Sequence, residues 1–194
     1  MASSDERHPV LVDQSQDGKY VAVFDALEGS HCLDMGIATG TIFGIYEASE
    51  ECLAADDADL DSAAERCLMQ TLQPASNLVA AGYCMYSSST MLVISTGDGV
   101  NGFTLDAQAG EFILTHPDMC IKPRGKIFSV DEARISNWAA PLQKYIALLK
   151  SGKGESGVKY SGRHIGSTVA DVHRTILYGG IYAVPADGVG AEAA

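Results

Sequence analysis

The chain has 194 residues, of which 46% are hydrophobic, and its formal net charge is −12. This length and composition suit one domain with a sizeable core, and the negative charge argues against a nucleic acid or an anionic membrane as a partner. No apolar run approaches the roughly 20 residues of a membrane span, and the charged start of the chain does not resemble a signal peptide.

The first half of the chain begins with two apolar segments and continues into an acidic one. The segments 19–25, "KYVAVFD", and 40–46, "GTIFGIY", each predict a strand. Residues 47–75 are dense in Asp and Glu, which predicts a solvated insertion that Pro74 closes. Within it, a helical piece is expected from about residue 60 to residue 72.

Further elements follow in the second half of the chain. The small-residue segment 77–86, "NLVAAGYCMY", predicts a tightly packed helix. Apolar runs bounded by turn residues predict further strands at 90–95, 101–106, 110–115, 125–130 and from 181. Helical spacing and end signals predict helices at 137–150, with Pro141 in the first turn, and at 167–180, between Ser167 and Gly179. This mixture predicts an α/β, or α+β, layered sandwich over residues 1–185, followed by a flexible tail at 186–194.

Five cysteines are present, and no two of them have the CxxC spacing. That pattern argues against a secreted disulfide scaffold or a zinc site. Cys84 and Cys120 lie in apolar runs, so we expect both to be buried hydrophobic side chains.

The end of the first predicted strand contains the candidate chemistry. Asp25 ends the strand, Glu28 follows three residues later, and Gly29 and Ser30 come next. Carboxylate oxygens suit a hard divalent cation, and a Gly-Ser turn into a helix offers backbone N–H groups to a phosphate. The same residues could equally form an ordinary strand-to-helix turn.

Several long segments resemble the class I fructose-1,6-bisphosphatase family, within the superfamily of sugar and inositol phosphatases. The similarity runs from about Ser3 to Pro185. The segments that carry it are "FDALEGSHCLDMGIATGTIFGIY", "LVAAGYCMYSSSTMLV", "GEFIL" and "GRHIGSTVADVHRTILYGGIY". Relative to a family member the chain is expected to be truncated at both ends, without an upstream catalytic loop and a downstream Lys and Glu.

The resemblance implies hydrolysis of the 1-phosphate of fructose 1,6-bisphosphate, in gluconeogenesis or the Calvin cycle, with two or three Mg²⁺ ions, or Mn²⁺ in their place. Asp25 matches a catalytic and metal-binding Asp of the family. Glu28 matches a second one but is one methylene longer, which displaces its carboxylate by about 1 Å. Two further family glutamates correspond to Ser4, which cannot supply the charge, and to Asp5, which is a third candidate ligand.

The resemblance also implies a site for the 1-phosphate. Leu27, Gly29 and Ser30 match its pattern, and His31 stands where the family has a second Ser. His31 could donate a hydrogen bond to the phosphate or could crowd the pocket.

The implied site for the 6-phosphate departs further from the family pattern. Arg163 matches an arginine that reaches the phosphate in a neighbouring subunit. Asp131 replaces an Asn, whereas Arg134, His164 and Val184 replace tyrosines. Arg134 could compensate for the charge of Asp131 or simply pair with it.

His173 and Arg174 also match the family, but they lie inside a predicted helix. We therefore expect these two residues to contribute to packing and interfaces and not to catalysis.

The acidic insertion resembles the redox loop of the plastid enzymes of the family. The resemblance implies a disulfide between Cys52 and Cys67, a thioredoxin-like reductant, a homotetramer and the plastid stroma, with the cytoplasm as an alternative. Two other functions stay open: a catalytically impaired protomer or fragment that keeps the fold and the subunit interface, and a phosphatase for a related sugar such as sedoheptulose 1,7-bisphosphate.

Overall fold

A computed structural model describes residues 2–3, 19–48 and 71–186 of the chain. The chain divides into two compact units, Met1–Met119 and Cys120–Ala194. This division is finer than the predicted single domain at 1–185, whose boundaries stay a prediction. Within the described residues no helix is both long and apolar enough to cross a membrane.

The first unit is built on a seven-stranded sheet whose strands lie side by side in chain order. The short strand β1 runs parallel to β2, and every other neighbouring pair is antiparallel. The strands are β1 (Ala2–Ser3), β2 (Tyr20–Glu28), β3 (Thr39–Glu47), β4 (Leu78–Tyr86), β5 (Thr90–Ser95), β6 (Val100–Asp106) and β7 (Glu111–His116). Short 3₁₀ helices occupy Ser30–Met35 and Ala75–Asn77.

The predicted helix at 77–86 is wrong, because these residues form strand β4. β4 pairs with β3 on one side and β5 on the other, so partners distant in sequence decide its conformation. Small residues serve close packing inside the sheet: a Cβ added at Gly82 would lie 2.6 Å from the Val93 carbonyl oxygen. The strands predicted at 19–25, 40–46, 90–95, 101–106 and 110–115 are confirmed.

One face of this sheet contributes most of the first unit's core. Alternate residues on neighbouring strands are buried there, as the period of two in a strand requires. They are Val21, Tyr46, Tyr83, Met85, Met91 and Val93.

The second unit combines a three-stranded parallel sheet with two α-helices. Its strands are β8 (Ile127–Ser129), β9 (Ser161–Gly162) and β10 (Ile181–Tyr182), in the order β10-β8-β9, and its helices are α1 (Ala140–Ser151), α2 (Thr168–Tyr178) and a 3₁₀ helix at Glu132–Asn137. The predicted helices and the predicted strands at 125–130 and from 181 are confirmed, with shorter bounds. Their core consists of Phe128, Val130, Trp138, Ile146 and Leu149.

The helix ends lie where the sequence signals predict them, but one expected capping hydrogen bond is not formed. Pro141 lies in the first turn of α1, where its missing N–H costs nothing. Gly152 ends α1 and Gly179 ends α2, both at positive φ. Ser167 precedes α2 as expected, yet its buried Oγ makes no capping hydrogen bond.

The two cysteines expected to be buried behave differently. Cys120 is exposed, so that prediction is wrong, and Cys84 is only half-buried, whereas Cys32 is buried. An apolar run does not say how deep each of its residues lies, because depth depends on which other segments cover it. Most of the acidic insertion, with its predicted helix, and the predicted tail from residue 187 onward lie outside the described residues.

A buried ion pair organises the start of α2. Asp171 is 0% exposed, and its Oδ1 lies 3.4 Å from Nη1 of Arg174, without hydrogen-bond geometry. Asp171 Oδ2 accepts a hydrogen bond from Ile165 N at 3.1 Å, and Arg174 Nη1 donates to the Arg163 carbonyl oxygen at 2.8 Å. Burial lowers the pKa of Arg174 and the charge of Asp171 opposes that shift, so the pair compensates part of the cost of burying each charge.

We expect Asp171→Ala to lower the free energy of unfolding by about 3 kcal/mol or more, because it leaves Arg174 as a buried charge without its carboxylate. The matched control is Glu132→Ala, which removes the exposed ion pair of Glu132 with Lys150 (2.6 Å between Oε2 and Nζ). An exposed pair of this kind contributes about 0–1 kcal/mol, although its atoms are closer. Urea denaturation of both variants checks this, and equal losses would contradict it.

Candidate active site

A one-residue bulge in β2 places the two predicted carboxylates on the same face of the sheet. Strand residues three apart normally point to opposite faces. Here Asp25 pairs with Ile42 and Glu28 pairs with Gly40, so three steps along β2 match two steps along β3. Because Ile42 and Gly40 are two residues apart, they share a face, and so do Asp25 and Glu28.

The Asp25 side chain is held by the backbone of the bulge. Its Oδ1 accepts a hydrogen bond from Leu27 N at 3.1 Å. Asp25 is half-buried and lines an open, mainly apolar pocket of about 540 Å³. The backbone of this turn thus fixes the carboxylate in one orientation.

Two of the three predicted metal ligands, Asp25 and Glu28, lie within the described residues. The two carboxylates are hard oxygen donors on one face, which fits a divalent cation such as Mg²⁺, since this ion is often bound by one or two carboxylates and retains water. Among the described residues, no group of three or more His, Cys, Asp or Glu side chains is placed to hold a metal. Asp5, the third predicted ligand, lies outside them.

The predicted phosphate cradle follows Glu28 directly. Gly29 is buried and has φ of 79°, a left-handed conformation that favours glycine. Ser30 opens the 3₁₀ helix, and both Ser30 and His31 are exposed. Asp25, Leu27 and Glu28 thus lie at the end of β2, and Gly29 and Ser30 follow them at the start of the 3₁₀ helix.

In the second unit, Arg163 and His164 follow strand β9. The Arg163 side chain is exposed, whereas its backbone N donates to the Phe128 carbonyl oxygen at 2.8 Å and its own carbonyl oxygen is bound by Arg174. Its position is therefore set by β8 and α2, while its guanidinium is exposed.

His164 contacts Ser129 and Asp171, but the three residues do not form a nucleophilic triad. Nδ1 of His164 lies 3.2 Å from Ser129 Oγ and 3.9 Å from Asp171 Oδ2. A triad needs the serine on one ring nitrogen and the carboxylate on the other. Here both share the same nitrogen, so this arrangement supports the loop and does not activate Ser129.

Asp131 and Arg134 pair with each other. Nε of Arg134 lies 3.7 Å from Oδ2 of Asp131, and Oδ1 of Asp131 accepts a hydrogen bond from Ala133 N at 3.1 Å. Arg134 therefore pairs with Asp131, as one of the two interpretations predicted. Both side chains are well exposed, so the pair contributes little to stability.

The remaining predicted residues are two cysteines and two residues of α2, and two features of the structure were not predicted. Cys52 and Cys67 lie outside the described residues. His173 and Arg174 are buried in α2, in keeping with a packing role. The sequence reasoning missed Asp171, although the spacing of Asp171 and Arg174, three residues apart in a helix, is a recognisable ion-pair signal. It also missed the bulge, which no local pattern marks.

Comparisons with known proteins identify the family of this chain. The protein-family model for the N-terminal domain of fructose-1,6-bisphosphatase matches residues 1–117, and the family model for its C-terminal domain matches residues 121–193. The chain is 50% identical to the chloroplastic fructose-1,6-bisphosphatase of Triticum aestivum, covering 96% of this chain and 46% of the relative. It is also 50% identical to the cytosolic fructose-1,6-bisphosphatase of Musa acuminata, and this match covers 96% of this chain and 51% of that relative.

Solved structures give the same result for the fold. Crystal structures of Leishmania major fructose-1,6-bisphosphatase, in apo and T-state forms, are 37% identical with a TM-score of 0.83. They cover 96% of this chain, which in turn spans 57% and 55% of theirs. The α/β sugar phosphatase fold is therefore confirmed. The chain spans about half the length of the curated relatives it matches, and it belongs to the fructose-1,6-bisphosphatase family.

Proposed function

We propose that this chain contributes the catalytic carboxylates for hydrolysis of the 1-phosphate of fructose 1,6-bisphosphate, which yields fructose 6-phosphate and phosphate. Membership in the family supports this reaction. The observation that carries it is the bulge, which brings Asp25 and Glu28 to one face immediately before Gly29. A simple strand-to-helix turn would not require two carboxylates on the same side.

Asp25 and Glu28 would hold the divalent cation, which we propose to be Mg²⁺. When bound, such an ion polarises the phosphate and offsets the negative charge that develops during the reaction. The bulge presents the carboxylates, and the Leu27 N–H orients that of Asp25. Asp5 remains a proposed third ligand.

The residues after Glu28 would bind the 1-phosphate. Backbone N–H groups at the start of the 3₁₀ helix have no partner within the helix, so the turn at Gly29 and Ser30 can donate to phosphate oxygens. The exposed imidazole of His31 is adjacent and can donate as well. Leu27, 37% exposed, would contact the substrate through its backbone or its apolar surface.

Arg163 and His164 would bind the 6-phosphate, with Arg163 acting on a neighbouring subunit of a homotetramer. The exposed guanidinium of Arg163 is a planar fork suited to phosphate oxygens. Asp131 adds negative charge where the family has an Asn, and its pairing with Arg134 offsets that charge.

A catalytically impaired protomer is the second candidate function. Glu28 is one methylene longer than the family's Asp, and a misplacement of about 1 Å can cost roughly 10²-fold in rate. This candidate predicts the same fold and subunit contacts with very low turnover, so kinetics separate the two.

We expect Mg²⁺ to bind weakly to this chain and less well to Asp25→Asn, because the amide removes the negative charge but keeps the size of the side chain. Titration calorimetry of both proteins measures the difference. Asp34→Asn is the matched control, since Asp34 is an exposed carboxylate of the adjacent 3₁₀ helix. Equal heats for Asp25→Asn and the unaltered chain would remove Asp25 from the metal site.

Glu28→Asp should raise phosphate release from fructose 1,6-bisphosphate by about tenfold or more, because it returns the carboxylate to the shorter reach. The unaltered chain should release little phosphate above the Asp25→Asn blank. Rapid turnover by the unaltered chain, or a slower Glu28→Asp variant, would show that Glu28 is not a misplaced ligand.

We further propose redox control by Cys52 and Cys67 in the plastid stroma. Several relatives are named chloroplastic, although one is cytosolic. Fourteen residues separate the two cysteines, and Asp56, Asp57 and Asp59 lie between them. Negative charge disfavours thiolates and repels anionic thiols such as glutathione. A thioredoxin-like protein with a basic docking face would be attracted to the same charges.

Mild oxidation should therefore produce a Cys52–Cys67 disulfide, which peptide mapping would detect. Its reduction by thioredoxin should be fast and should slow as salt is added, because the attraction is screened. Cys52→Ser is the control, in which the cross-link must disappear. Free thiols after oxidation, or either cysteine joined to Cys84 or Cys120, would disprove the pairing, and reduction that salt does not affect would disprove the electrostatic attraction.

A further inference from the structure

One hydroxyl group, that of Thr41 on the neighbouring strand β3, bonds the bulge of β2, and the hydroxyl of Tyr86 on β4 contacts Thr41 in turn. Thr41 Oγ1 donates a hydrogen bond to the Ala26 carbonyl oxygen at 2.8 Å. The same Oγ1 lies 2.8 Å from Tyr86 Oη. A hydroxyl carries one proton, and that of Thr41 is used on Ala26, so Tyr86 donates to Thr41. The result is a directed chain of hydrogen bonds from β4 through β3 to β2.

These hydrogen bonds reach the part of β2 where the regular pairing with β3 is interrupted. Ala26 and Leu27 together face Thr41, since the ladder passes from Asp25–Ile42 to Glu28–Gly40. A bulge leaves its extra residue outside the regular ladder. Here two side chains bond the backbone of the bulge: Asp25 Oδ1 accepts from Leu27 N, and Thr41 Oγ1 donates to the Ala26 carbonyl oxygen.

The two hydroxyls lie on the face opposite the carboxylates. Ile42 pairs with Asp25, so the adjacent Thr41 points to the other side of the sheet. Thr41 pairs with Cys84, and Tyr86 is two residues from Cys84 on β4, so Tyr86 shares the face of Thr41. Neither hydroxyl is therefore a candidate ligand, and any effect they have on a bound cation must pass through the backbone of the bulge.

We propose that Thr41, oriented by Tyr86, is a positioning residue that fixes the bulge and thereby the relative placement of the Asp25 and Glu28 carboxylates. The proposal rests on the proposed function, because only that function assigns a cation to the Asp25 and Glu28 carboxylates. Without the Thr41 hydroxyl, the Ala26 carbonyl would lose this hydrogen bond, and the strand could relax toward regular pairing. Such a shift would turn one carboxylate away from the shared face.

The test compares Thr41→Val, which has nearly the same shape but no hydroxyl, with Thr41→Ser, which keeps it. One net hydrogen bond corresponds to about threefold to tenfold in an equilibrium constant. We expect Thr41→Val to weaken Mg²⁺ binding in calorimetry by that factor, Tyr86→Phe to weaken it less, and Thr41→Ser to bind as the unaltered chain does. Amide exchange of Leu27, followed by NMR, should accelerate in Thr41→Val even without metal.

The matched control is Thr104→Val. Oγ1 of Thr104 and Oγ1 of Thr115 are 2.8 Å apart across β6 and β7, so this variant removes a similar cross-strand hydroxyl contact away from the bulge. It should leave Mg²⁺ binding and Leu27 exchange unchanged. Its urea midpoint, beside that of Thr41→Val, shows whether a change in binding follows only from global destabilisation.

The outcomes separate this proposal from the proposed function. If Asp25→Asn weakens Mg²⁺ binding but Thr41→Val does not, the cation site stands and the positioning role is disproved. Equal weakening in Thr41→Val and Thr41→Ser would also disprove it, because the hydroxyl would then be irrelevant. If the unaltered chain binds no Mg²⁺, both proposals fail, whatever the amide exchange shows.

Discussion

The one-residue bulge between Asp25 and Glu28 is the constraint on which the candidate site depends. A regular antiparallel strand would direct these carboxylates to opposite faces. The extra residue in β2 shifts the pairing with β3 and brings both to one face, directly before the left-handed turn at Gly29. The shared face of the two carboxylates is thus the consequence of a single irregularity in strand pairing.

The second unit uses a buried ion pair for a similar purpose. Asp171 and Arg174 bind the backbone of residues 163–165 from inside α2. A buried pair is not by itself a source of stability, because both charges lose their hydration. Its value here lies in geometry, since the pair fixes the loop from which Arg163 extends.

The departures from the family pattern at Glu28 and Asp131 change the length of one side chain and the charge of another. In the resemblance to the family, Glu28 corresponds to an Asp of the same charge and shorter side chain. Asp131 corresponds to an Asn, and its charge pairs with Arg134. Neither change disturbs the fold, because the side chains of Asp131 and Arg134 are well exposed and Glu28 remains in the bulged strand.

The sequence by itself determined most strands, both long helices and the cluster of Asp25, Glu28 and Gly29, because these follow from local periodicity, end signals and neighbouring positions. It did not determine β4: a run of small residues suits a helix or a strand, and only pairing with β3 and β5 selects the strand. The depth of Cys120 and the face shared by the two carboxylates were likewise decided by tertiary structure. Burial and register depend on residues far away in the chain, which no local pattern contains.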